Sequence, residues 1–216
     1  VTFICRNAAP LLVADLTRIE QLAGGLICSD DFWLVGTFHG VAKTLLASVL
    51  PVETLGFRRD FSVLDEDALA LLLESLISRH RLRVGRRSTV RKRMRALKLP
   101  SSSQEDAGDL GRLAALLCAE KQAQNVMDFD DLIDHASTLL TTSSAAPCES
   151  DPSLPPRYVL VDEMQDCEPR EITFLRRLRG PATQFFGVGD PHQAIYGFRG
   201  SSPGSEKSTC AASSVS

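Results

Sequence analysis

Arg157–Gly200, RYVLVDEMQDCEPREITFLRRLRGPATQFFGVGDPHQAIYGFRG, constrains the fold of this chain more than any other stretch. It contains two short apolar runs, Tyr158-Val159-Leu160-Val161 and Gln184-Phe185-Phe186-Gly187-Val188. Charge closes each of them, Asp162-Glu163 after the first and Asp190 after the second. Short runs rich in β-branched and aromatic residues predict buried strands of a parallel sheet. Pro169 to Arg179 predicts a short helix between them. The result is a strand–helix–strand unit with acids at the carboxyl ends of both strands. That edge is where open α/β sheets bind their ligands.

The rest of the chain fits around this unit. Val1 to Ile4 reads as a strand, Ala8 to Leu22 as a helix ended by Gly24-Gly25, and Phe32 to Gly36 as a second strand. Val41 to Leu50 reads as a helix, Leu55 to Phe61 as loop, and Asp65 to Ser78 as an amphipathic helix with acids in its first turn. A basic, half-helical stretch follows, then a helix over Gly111–Asn125. Asp128-Phe129-Asp130-Asp131-Leu132-Ile133 runs into a helix ending near Leu140. Thr141–Pro156 is rich in Ser, Thr and Pro and reads as surface loop. The expected division is an α/β domain over residues 1–54 and 126–200, a helical subdomain without strands inserted over 55–125, and a disordered tail over 201–216.

With 216 residues and 44% apolar content the chain can bury a substantial core. Its net charge of −3 hides a strong asymmetry: Arg79–Lys98 holds ten Lys/Arg and no acid. That stretch suits phosphate backbones, or it is a solvated basic helix. The six cysteines are scattered and form no CxxC pair, which predicts neither a zinc site nor a disulfide framework and points to a reducing, intracellular compartment. That compartment is cytoplasmic for a bacterial source and nuclear or organellar for a eukaryotic one. No apolar run is long enough to span a membrane. The chain starts at Val1 inside an expected strand, without Met or signal peptide, as a fragment would.

The chemistry follows from the strand ends. A carboxylate such as Asp162 at the end of a strand can hold Mg²⁺ through water, and the next one, Glu163, can orient an attacking water. Equally, two acids can simply begin a loop. Gln193, just past Gly189-Asp190, can hydrogen-bond a terminal phosphate without adding charge, although Gly, Asp and Pro191 also form turns. Tyr196, Phe198 and Arg199 suit stacking on unpaired bases, or core packing with a solvated arginine. His39 reads first as a turn histidine. Asp128, Asp130 and Asp131 read as a helix start rather than a metal cluster.

Several of these pieces together resemble the UvrD/Rep-type superfamily 1 DNA helicases. Val161-Asp162-Glu163-Met164-Gln165-Asp166 resembles that family's motif II, DExQD. Val188 to Gly200, VGDPHQAIYGFRG, resembles motif III. Gly36-Thr37-Phe38-His39-Gly40 is similar to the TFHS motif, Met127–Ile133 to DFDDLL, and Val1-Thr2-Phe3 with Ala8-Ala9 to motif Ia. The five stand in the family's order and cover roughly residues 1–200.

The resemblance implies a RecA-like P-loop NTPase sheet flanked by helices, with ATP and Mg²⁺ as cofactors. It also implies single-stranded DNA and single-strand/duplex junctions as partners, with no membrane and no small-molecule substrate besides ATP. Asp162 would hold Mg²⁺, Glu163 would activate water and Gln193 would sense the γ-phosphate. Gln165, Asp166 and Asp190 would couple the site to its surroundings. Phe3, Thr37, His39, Tyr196, Phe198 and Arg199 would face DNA, and the DFDD segment would support that floor. The expected activity is 3′→5′ translocation and unwinding driven by ATP hydrolysis.

This sequence also departs from the family pattern. TFICRNAA is one residue longer than the usual motif Ia spacing, Gly40 stands in place of Ser, and His192 precedes Gln193. No G-x-x-x-x-G-K-[ST] loop occurs in the 216 residues, and motif III is followed only by the tail. The family places the phosphate loop just upstream of motif Ia and a second motor domain after motif III. These residues alone are therefore expected to be incompetent for turnover. The alternative is a non-catalytic, single-stranded nucleic-acid-binding module derived from a helicase.

Overall fold

The computed structural model describes residues 2–5, 34–85, 87–97, 108–143 and 154–190. In chain order its elements are β1 (Thr2–Cys5), β2 (Leu34–Thr37), α1 (Phe38–Ser48), a 3₁₀ turn (Val52–Leu55), β3 (Ser62–Leu64), α2 (Glu66–Arg79), α3 (Arg87–Leu97), α4 (Gly108–Gln124), β4 (Val126–Asp128), α5 (Phe129–Ser143), β5 (Tyr158–Val161), a 3₁₀ turn (Met164–Asp166), α6 (Pro169–Leu178) and β6 (Gln184–Gly187). The predicted helix over Ala8–Leu22, the Gln193–Arg199 segment and the tail from residue 201 lie outside the described residues. The chain divides into two compact units, residues 1–52 with 130–216, and residues 53–129.

The larger unit contains a four-stranded parallel sheet in the order β2-β1-β5-β6. Ile4 of β1 and Val159 and Val161 of β5 are buried, as expected for strands with neighbours on both sides. The predicted burial of Gln184–Val188 does not hold. Phe186 is 54% exposed and Val188 67% exposed. Among the described residues β6 pairs on one side only, and that leaves its apolar side chains less covered than those of β5.

α1 begins three residues before the expected Val41. Thr37 caps it, its Oγ1 accepting from Gly40 N at 3.2 Å. The cap lets Phe38 join Val41, Ala42, Leu45 and Leu46 in one buried stripe at helical spacing. α5 buries Leu132, Ile133, Ala136 and Leu139, and continues three residues past the expected end at Leu140. α6 starts at Pro169, where a missing N–H costs nothing, and Glu168 N donates to the Glu171 carboxylate at 2.7 Å. It buries Ile172, Phe174, Leu175 and Leu178.

In the smaller unit, α2 is capped by Asp65, which accepts from Ala68 N at 2.7 Å. Leu69, Leu73, Leu76 and Ile77 of α2 pack in one cluster with Val90 of α3 and Leu110, Leu113 and Leu117 of α4. The expectation of a strandless subdomain is corrected here. β3 pairs in parallel with β4, Ser62 beside Val126 and Leu64 beside Asp128. Asn125 makes that pairing possible. It closes α4 in the left-handed conformation (φ 54°), its Oδ1 accepts from Arg58 N at 2.8 Å, and its carbonyl accepts from Ser62 N at 3.1 Å.

The basic stretch is split by turns at Arg81 (φ 51°) and Gly85 (φ 77°). Part of its charge serves the fold. Arg93 Nη1 donates to Val84 O at 2.6 Å, and Arg91 Nη1 lies 2.9 Å from Glu66.

Candidate functional site

Among the four strands, the chain leaves β1 for β2 on one side and returns on the other side as β5. The seam between the carboxyl ends of β1 and β5 is therefore a topological switch point, where a crevice opens for ligands. Asp162 sits on this seam. Its N–H donates to Ile4 O at 3.0 Å, and its side chain is half-buried.

The backbone then reverses abruptly. Glu163 adopts φ 55° and ψ 43°, a left-handed conformation that glutamate rarely takes, and its N–H donates to Asp162 Oδ1 at 2.9 Å. Such strain, of order 1–3 kcal/mol, persists where the surroundings over-determine it. Here they do. Met164 N donates to Val188 O at 3.0 Å, and Val188 N donates to Val161 O at 2.8 Å. The turn after β5 is thus stitched to the end of β6.

Gln165 completes the stitching. Its Nε2 donates to Glu163 Oε2 at 2.5 Å, its Oε1 accepts from Asp190 N at 3.0 Å, and the residue is 2% exposed. Gly189 permits the approach. A Cβ there would lie 2.5 Å from Gln165 Oε1 and 3.1 Å from the backbone nitrogens of both Met164 and Gln165. Sequence alone reads Gly189 as a turn former. Its role as a spacer depends on which strand lies next to which.

The structure therefore brings Asp162, Glu163, Gln165, Asp166 and Asp190 to one sheet edge. Asp166 is buried, and its Oδ1 has no hydrogen-bond partner among the described residues. Thr37 and His39 lie at the start of α1, Thr37 as its cap. Phe3 is described by its backbone alone, in β1 beside Val35 and Leu160. Gln193, Tyr196, Phe198 and Arg199 lie outside the described residues.

The aspartate run is engaged elsewhere. Asp128 Oδ2 lies 2.8 Å from Lys121 Nζ. Asp130 Oδ1 lies 3.2 Å from Arg170 Nη1 of α6, with Asp134 and Glu168 each 3.7 Å from the same guanidinium. Among the described residues no group of three or more His, Cys, Asp or Glu is gathered as a metal site. The one hint of Arg170's role in the sequence is its place in the first turn of α6, where cations are disfavoured unless acids surround them.

The family model described as the UvrD/REP helicase N-terminal domain matches residues 16–205, which include every residue of this strand-end cluster. The chain belongs to the UvrD/REP helicase family. Among its relatives is the ATP-dependent DNA helicase Rep of Escherichia coli (strain K12), 34% identical over 180 residues, or 79% of this chain and 26% of that protein. Rep of Salmonella typhimurium is 33% identical over the same shares. The ATP-dependent DNA helicase PcrA of Staphylococcus aureus is 24% identical over 197 residues, 85% of this chain and 26% of that protein. The chain spans about a quarter of the length of these UvrD/REP relatives. No helix among its described residues is long and apolar enough to cross a membrane.

Proposed function

We propose that this chain is part of the first motor domain of an ATP-dependent 3′→5′ DNA helicase, with a RecA-like P-loop fold. The reading rests on one observation: Asp162-Glu163 at the β1/β5 switch point, tied through Gln165 to Asp190 at the end of the adjacent strand.

The donor set suits Mg²⁺. That ion keeps several waters and binds through one or two carboxylates together with substrate phosphates, rather than in an all-protein cage. Asp162 is half-buried, and its Oδ1 is already used by Glu163 N, which fixes the carboxylate's orientation. Bound Mg²⁺ would neutralise charge developing on the phosphates. Glu163 positions and deprotonates water, and Gln193 senses the γ-phosphate. Phe3, Thr37, His39, Tyr196, Phe198 and Arg199 form the face toward single-stranded DNA and its junctions with duplex. Translocation along the strand and duplex unwinding are the proposed output.

The 216 residues contain no G-x-x-x-x-G-K-[ST] loop to cradle phosphates. These residues alone are therefore expected to turn ATP over negligibly. A steady-state ATPase assay with single-stranded DNA checks this. Robust DNA-stimulated turnover that disappears in Glu163→Gln would overturn it. A second reading is a non-catalytic single-strand-binding module, to which Tyr196, Phe198 and Arg199 are suited by their residue types. Fluorescence anisotropy at two salt concentrations tests that reading through salt-sensitive binding. Indifference of that binding to Phe198→Ala with Arg199→Ala would sink it.

A further inference from the structure

Gln165 stands out among the polar groups of the strand-end cluster because both ends of its side chain are used inside the protein. We propose that Gln165 is a positioning residue that makes the orientation of the Glu163 carboxylate depend on where the backbone of Asp190 lies. The catalytic meaning of this coupling rests on the reading of Glu163 as the water-activating residue.

The chemistry of the two partners fixes which way the carboxamide faces. The Asp190 N–H can only donate, so it takes Oε1 at 3.0 Å. The Glu163 carboxylate accepts, so it takes Nε2. The two bonds share one rigid planar group, so a displacement at one end turns the other. At 2% exposure, water does not substitute for a lost partner. Glu163 is already fixed at its backbone, in the left-handed region with its N–H on Asp162, so its side-chain torsions take up the displacement.

Few side chains could do the same. Glutamate would set two carboxylates against each other. Lysine or arginine could not accept from Asp190 N, and leucine or methionine would bridge neither. Asparagine falls one methylene short. Gly189 keeps the span open, because a Cβ there would lie 2.5 Å from Oε1. The arrangement gives a direct path from the backbone that leads into Pro191–Gly200 to the group at the end of β5.

Amide hydrogen exchange on the 216-residue chain, without nucleotide, tests the coupling. The Asp190 amide should exchange slowly in the wild type. It should exchange about tenfold faster in Gln165→Leu, the loss of one buried hydrogen bond. Val159 and Val161 amides in β5 report that the fold is intact. Glu163→Ala should speed Asp190 exchange when residue 165 is Gln and leave it unchanged in the Gln165→Leu background. Equal effects of Glu163→Ala in both backgrounds would overturn the proposal.

If β5 protection is lost in Gln165→Leu, Gln165→Glu decides. That variant keeps an acceptor for Asp190 N but repels Glu163, so adding Glu163→Ala should slow Asp190 exchange rather than speed it. The same sign in both backgrounds would sink the coupling. Failure of the helicase reading appears separately: a longer protein that joins this segment to a phosphate loop and a second motor domain shows no DNA-stimulated hydrolysis, while the amide coupling in the 216-residue chain stays intact.

Discussion

Lys121 Nζ lies 2.8 Å from Asp128 Oδ2, with less than a tenth of either side chain exposed. The pair joins α4 to the end of β4 and takes Asp128 out of the acidic run that, in the sequence, could pass for a metal cluster. Removing one member takes the ion-pair partner away from a buried charge. Lys121→Met is expected to cost about 3–5 kcal/mol in urea unfolding, and Lys121→Met with Asp128→Leu distinctly less. A double variant no more stable than the single one would show that Asp128 is not held by Lys121.

Arg170 gathers Asp130, Asp134 and Glu168, with its side chain 24% exposed. Its loss leaves three carboxylates facing one another across α5 and α6. Arg170→Met should destabilise the larger unit, and the cycle with Asp130→Asn should show a coupling of about 1 kcal/mol. Additive single and double variants would reduce the contact to a coincidence of surface charges.

Thr37 and Gly189 can be tested by backbone chemistry. Thr37→Ala removes the cap on Gly40 N and should lower stability by about 1 kcal/mol. Gly189→Ala drives a methyl toward Gln165 and the Met164 backbone and should cost about 1–3 kcal/mol. It should also release the Asp190 amide to faster exchange. Thermal melts give the first two quantities and hydrogen exchange the third.

What could be read from the sequence divides by range of interaction. Tyr158–Val161 announces a strand by composition alone. Asp65 followed by Leu69, Leu73 and Leu76 announces an amphipathic helix with acids at its start, although not that Asp65 is its cap. Both are local patterns of period or propensity. Ser62–Leu64 carries no such signal, since a three-residue strand is made by its partner, and that partner begins at Val126. The start of α1 was obscured by Gly40, a weak helix former that nevertheless supplies the N–H Thr37 needs. The acids of the site were legible because they end apolar runs. The bridge through Gln165 was not, because it exists only once β6 lies beside β5 in register, with Val161 opposite Gly187.

The side of β6 that has no partner among the described residues bears on how the isolated chain behaves in a tube. Among the described residues β6 has a neighbour on one side only, and Phe186 in it and Val188 just after it are largely exposed, so its other side presents backbone groups to any extended chain that meets it. The chain should therefore self-associate as its concentration rises, by strand addition rather than by any designed dimer contact. Phe186→Lys should suppress light scattering at high concentration without lowering the melting temperature. One strand edge would then govern how concentrated this polypeptide can be made, and covering that edge is the expected remedy.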